Sequence, residues 1–94
     1  MEIRNLEVRK LVEECEQKGC KIYGGKNYIS IAMPGIYENE KAFSWVRING
    51  VSKAIRRIDI VENYIELITG NLGGLDSSIM VEDLMRFEIE EIYK

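Results

Sequence analysis

Apolar residues recur along this chain with two different periods, and the change of period divides it. Val8, Leu11, Val12 and Cys15 fall at i, i+3, i+4 and i+7, which places them on one face of a helix. Glu7, Arg9, Lys10, Glu13, Glu14, Gln17 and Lys18 take the other positions. Asn5 is a good N-cap, Glu7 sits favourably in the first turn, and Gly19 stands where a helix-ending glycine belongs. The spacing predicts a helix from about Leu6 to Lys18.

From Cys20 the period falls to two. Cys20 to Tyr23 and Tyr28 to Met33 flank Gly24-Gly25-Lys26-Asn27, a hairpin with a four-residue loop. Met33-Pro34-Gly35-Ile36 fits a type II turn, and the polar stretch Tyr37 to Lys41 reads as a loop. Phe43 to Ile48 is the next strand. Asn49-Gly50 follows it and is the strongest hairpin signal in the chain, because a type I′ turn needs positive φ at both central residues. The following strand is expected to start at Val51.

Ser52 to Thr69 carries two competing patterns. Ile55, Ile58, Val61, Ile65 and Ile68 are spaced by three and four, as on a helix. Ile58 and Ile60 nevertheless alternate with Arg57 and Asp59, and Ile65 and Leu67 with Tyr64 and Glu66, about a plausible turn at Glu62-Asn63. The density of β-branched residues favours two strands. Gly70 to Asp76 reads as a glycine-rich loop. In the tail, a helix competes with a short strand at Ile79-Met80-Val81, one turn at Glu82-Asp83-Leu84, and a strand in which Met85, Phe87 and Ile89 alternate with charged residues. The alternation favours the second. Strand, single tight turn, strand is how many SH3-like and Sm-like barrels close. The fold class expected is therefore α+β: an N-terminal helix packed on an antiparallel, barrel-like sheet of short strands. That likeness of pattern implies no function.

Length makes this one domain, since 94 residues is too few for two. A hydrophobic fraction of 46% belongs to a globular chain. No apolar run reaches the roughly 20 residues of a membrane span, and the charged first ten residues do not resemble a secretory leader. A cytoplasmic protein that stays where it is made is the expectation. Cys15 and Cys20 lack the spacing of a redox CxxC pair or a zinc site and read as two small buried hydrophobes. The chain contains no histidine, so serine–histidine and cysteine–histidine chemistry are excluded. No cofactor or metal is implied: the Gly70 to Asp76 loop lacks the lysine and spacing of a phosphate loop. Glu88, Glu90 and Glu91 read as a charged edge strand rather than a catalytic or metal-binding pair.

Charge is the most unusual feature. Residues 1–40 carry six cations and seven anions, residues 41–58 five cations and no anion, and residues 59–94 two cations and nine anions. The basic stretch, Lys41, Arg47, Lys53, Arg56 and Arg57 with Phe43 and Trp45, has the elements of a site for an anionic ligand, RNA, DNA or a nucleotide. The plainer explanation is that these cations pair with the acidic C-terminal strands. Tyr23, Tyr28, Met33, Tyr37, Trp45 and Tyr64 are candidates for a protein interface, of which one or two are expected to be exposed. The reading that best accommodates the whole is a non-catalytic binding protein. It would be a small inhibitor or adaptor of a larger protein, of the kind phages or mobile elements carry against host defences. Phe43, Trp45, Arg47, Lys53, Arg56 and Arg57 are its candidate contact residues. Uncovered sheet edges also favour self-association as a homodimer or higher oligomer.

Overall fold

A computed structural model describes residues 2–36, 42–69 and 75–92. Helix α1 spans Leu6–Gln17 and is capped as its sequence requires. Asn5 Oδ1 accepts the Val8 N–H at 3.1 Å. At the other end Gly19 adopts φ 93°. Its N–H donates to Glu16 O at 3.1 Å, and the Cys20 N–H to Cys15 O at 2.9 Å. That bond pair is a Schellman motif, whose usual apolar contact is here made by Cys15 and Cys20. Both cysteines are free and buried, and each lies in the main core.

Among the described residues eight strands follow: β1 (Lys21–Gly24), β2 (Tyr28–Ala32), β3 (Ser44–Ile48), β4 (Val51–Ile55), β5 (Arg57–Val61), β6 (Tyr64–Ile68), β7 (Leu75–Met80) and β8 (Phe87–Ile92). They form two antiparallel sheets, in the orders β1-β2-β5-β6-β7 and β4-β3-β8. The two sheets are not closed into one hydrogen-bonded barrel. The α+β class and the strand reading of 52–69 hold. The strand–turn–strand ending also holds, with adjustments: β7 begins at Leu75, inside the expected loop, and Met85 is an exposed residue ahead of β8. A single 3₁₀ turn, Val81–Asp83, joins β7 to β8.

The helix-like spacing in residues 52–69 has a structural cause. Ile55 and Ile58 are both fully buried although three residues apart, a spacing that one flat strand cannot put on one face. The chain bends between them at Arg56, where it passes from the three-stranded sheet into the five-stranded one. On the other side of the same ladder, β2 and β3 lie end to end against β5 and β4, interrupted by residues 33–43. Two backbone bonds hold the bend: the Met33 N–H to Arg56 O at 3.0 Å and the Arg56 N–H to Ile68 O at 2.9 Å. Ile89 and Ile92 repeat the same odd spacing in β8, across a register shift opposite Trp45 and Val46.

The inward faces of both sheets meet in one core. Ile31, Ile58 and Leu67 come from one sheet, Val46, Ile55 and Ile89 from the other, and Val8, Leu11 and Cys15 from the helix. The helix covers the β8 edge, where the Ile89 N–H donates to Glu14 Oε1 at 3.4 Å. The helix is 12 residues long, and none among the described residues is long and apolar enough to cross a membrane.

Candidate functional site: two outward sheet faces

Among the described residues, the cations of the basic stretch do not assemble into one surface. Arg56 is 9% exposed, and its Nη1 donates to Ala42 O at 3.0 Å. It ties Ala42, just ahead of β3, to the bend in the sheet, which is a structural task. Arg57 lies on the other sheet, where its Nε donates to both carboxylate oxygens of Asp59, at 3.0 and 3.1 Å. Lys53 faces inward beside Val46, and its Nζ reaches Ser77 Oγ of β7 at 3.3 Å. Arg47 does point outward from β3, but towards β8: its Nη1 is 3.2 Å from Glu88 and its Nε 3.3 Å from Glu90. Ser52 Oγ donates to the same Glu90 carboxylate. The outward face of the three-stranded sheet therefore sets one guanidinium among the exposed Glu88, Glu90 and Glu91. These pairs are solvent-exposed, so each adds at most about 1 kcal/mol of stability. Together they still cancel the positive field that an anionic ligand would need.

Phe43 and Trp45 stay together, ring centroids 6.0 Å apart in an edge-to-face contact at 82°. Trp45 is 37% exposed and Phe43 half-buried. Lys41 lies outside the described residues, as do Tyr37 and glycine positions 70, 73 and 74.

The outward face of the five-stranded sheet is different. Direct cross-strand pairing runs Tyr28↔Val61, Val61↔Tyr64 and Tyr64↔Met80, so these four side chains form one row across β2, β5, β6 and β7. Tyr28 and Tyr64 are 46% and 47% exposed, and Met80 37%. The next row is Tyr23, Ser30, Asp59, Glu66 and Ser78. Within it Asp59 is already engaged, accepting from Ser30 Oγ at 2.7 Å as well as from Arg57. Beyond that, Ala32 and Ile68 are buried.

The Tyr28 ring lies against the backbone of the preceding loop. A Cβ at Gly25 would come within 2.2 Å of it, so the glycine allows the ring to take this place. The hairpin between β5 and β6 turns on Glu62, whose φ of 55° is costly for a residue with a side chain.

Of the proposed interface residues, Tyr23, Tyr28, Trp45 and Tyr64 are exposed, more than expected, and Met33 is buried. Three of the four tyrosine and tryptophan positions belong to one sheet face. Val61 and Met80 escaped the sequence reading. The Glu62-Asn63 turn pairs Val61 with Tyr64 and was legible, but the neighbours Tyr28 and Met80 depend on strand order.

The Cys15 and Cys20 thiols share a hydrogen bond. The hydrogen bond from the Cys15 thiol stabilises the Cys20 thiolate and lowers the Cys20 pKa, against the opposing effect of burial. The same bond, with burial, raises that of Cys15. The chain matches no protein-family model, no curated protein and no solved structure.

Proposed function

We propose that this chain is a non-catalytic binding protein, an inhibitor or adaptor that covers a surface of a larger protein with the outward face of its five-stranded sheet. The observation that carries this reading is the registered row Tyr28–Val61–Tyr64–Met80, apolar, contiguous and solvent-facing. Tyrosine contributes a large contact area for little ordering cost, and tyrosine and methionine are both enriched in interface cores. A contiguous apolar patch in a small protein marks an interaction site more often than chance exposure. The accessory role against a host enzyme suits the small size, and two free thiols suit a reducing compartment such as the cytoplasm. β7 is an edge strand of that sheet, and edge strands favour self-association.

Binding of RNA, DNA or a nucleotide through residues 41–58 has less support. It requires cations free to meet phosphates, and Arg47, Arg56 and Arg57 are each engaged within the fold. Retention on heparin at low salt, lost in an Arg47→Glu variant, would restore it.

The main reading is tested by affinity capture from the native host. Immobilised protein is compared with a Tyr28→Ser/Tyr64→Ser variant and with Glu16→Ala on the exposed helix face. A stoichiometric partner held by the parent and by Glu16→Ala, and lost by the tyrosine variant, is the expected result. Equal retention by all three would overturn it.

A further inference from the structure

Resting on that binding face, we infer that its occupant is a cationic segment of the partner protein, with an arginine or lysine side chain seated on Tyr64 and Met80. Charge complementarity carries the inference. The row is bordered by carboxylates on both sides. Glu66 lies one row inward on the same face, about 7 Å along β6 from Tyr64. Glu62 occupies the turn between Val61 and Tyr64, and Glu82 and Asp83 follow Met80 in the 3₁₀ turn. All three of these outer residues are exposed and Glu66 is half-buried. None of the four carboxylates pairs with a cation among the described residues. This contrasts with Asp59 in the same sheet, which Arg57 neutralises.

The cations nearby do not alter the balance at this end. Lys26 is exposed in the loop before Tyr28, at the β2 end of the row. Arg4 lines a recess of about 280 Å³ with Glu62 and Val81, but its Nη2 lies 3.7 Å from Glu2. The four carboxylates therefore gather at the Tyr64–Met80 half of the row, and Lys26 lies at the other. A guanidinium there stacks on a tyrosine ring, lays its methylenes along Met80 and Val61, and approaches Glu66 or Glu62. A neutral apolar segment would gain the ring contacts and leave the carboxylates unpaired. An acidic one would meet them directly.

The test is a titration of isotopically labelled protein with the peptide acetyl-Gly-Leu-Arg-Leu-Arg-Gly-amide, followed by backbone amide shifts. A second peptide carries citrulline, the neutral isostere, at both arginine positions. The expected result is saturable shifts at Val61, Tyr64, Glu66 and Met80 with the arginine peptide, and at least roughly threefold weaker binding of the citrulline peptide. Glu66→Gln should weaken the arginine peptide about two- to fivefold, and added salt should act in the same direction. Glu66 lies on the open face, and the spectrum of the variant reports whether the fold is kept. Equal binding of the two peptides at this row would overturn the cationic occupant and leave the binding face standing. Shifts confined to Glu13 and Glu16 of the helix, or no saturable shift, would overturn it as well. The binding face itself falls only on the capture experiment, if the tyrosine variant keeps the partner.

Discussion

Asn49 offers the sharpest test of how this fold is held. It is the first central residue of the β3–β4 turn, with φ 52°, and Gly50 follows at 84°, as a type I′ turn requires. Its side chain does a second job. Oδ1 accepts the N–H groups of Met85 and Arg86 at 2.7 and 3.2 Å, and Nδ2 donates to Asp83 O at 2.8 Å. Its backbone N–H also donates to Arg86 O at 3.1 Å. One asparagine thus fixes both the hairpin and the chain entering β8. Asn49→Gly separates the two roles, because glycine takes positive φ freely but removes all three side-chain bonds. At about 0.5–1 kcal/mol for each of the three bonds in a solvent-exposed setting, the loss is about 1.5–3 kcal/mol, to which the glycine adds roughly 0.5 kcal/mol of chain entropy. Asn49→Asp keeps the acceptor and loses only the donor, so its cost should be near 1 kcal/mol. Asn49→Ala should be the worst of the three, since it loses the bonds and also meets the left-handed backbone penalty. Urea unfolding at one pH ranks them, and thermal midpoints should fall by about 4–8 °C for each kcal/mol in a domain of this size. If Asn49→Gly unfolds at the parent's midpoint, the clamp contributes nothing and the reasoning fails. If glycine and alanine cost the same, the backbone part of it fails.

Glu62→Gly should stabilise the fold by about 1 kcal/mol, by relieving the positive φ at that position, while weakening the arginine peptide. A thermal midpoint that does not rise would contradict the first half. Ser44 Oγ is the one fully buried side-chain oxygen or nitrogen without a hydrogen-bond partner among the described residues, so Ser44→Ala should raise stability by up to about 1 kcal/mol in urea. A destabilised Ser44→Ala would mean that the hydroxyl has a partner. Cys20 is 8% exposed and Cys15 fully buried, so iodoacetamide should reach Cys20 first, and slowly, in the folded protein, as peptide mass mapping would show. Cys15→Ala removes the thiol that stabilises the Cys20 thiolate, so the pH midpoint of labelling should move up. A midpoint that stays or moves down would refute that coupling.

Where local chemistry decides the backbone, these elements were legible residue by residue. Asn5 and Gly19 bound the helix, Pro34-Gly35 makes its turn with the Ile36 N–H bonded to Met33 O, and Asn49-Gly50 makes its hairpin. Each depends on a φ preference or a capping oxygen carried by the residue itself, so no distant contact is needed to read it. Even the bends left a trace, in the odd spacings Ile55–Ile58 and Ile89–Ile92, which a regular helix mimics over a short window. Sheet order left none. It decides that Tyr28, Val61, Tyr64 and Met80 stand in one row, although 52 positions separate the first from the last. It also decides that Arg47 meets Glu88 and Glu90 on the exposed face, and that Arg56 is drawn into the bend to hold Ala42. The sequence alone determined which residues carry charge, which carry rings and where the chain turns. Which charges cancel and which rings face water followed only from the pairing of strands remote in sequence, because burial and neutralisation belong to pairs and no single residue encodes its partner.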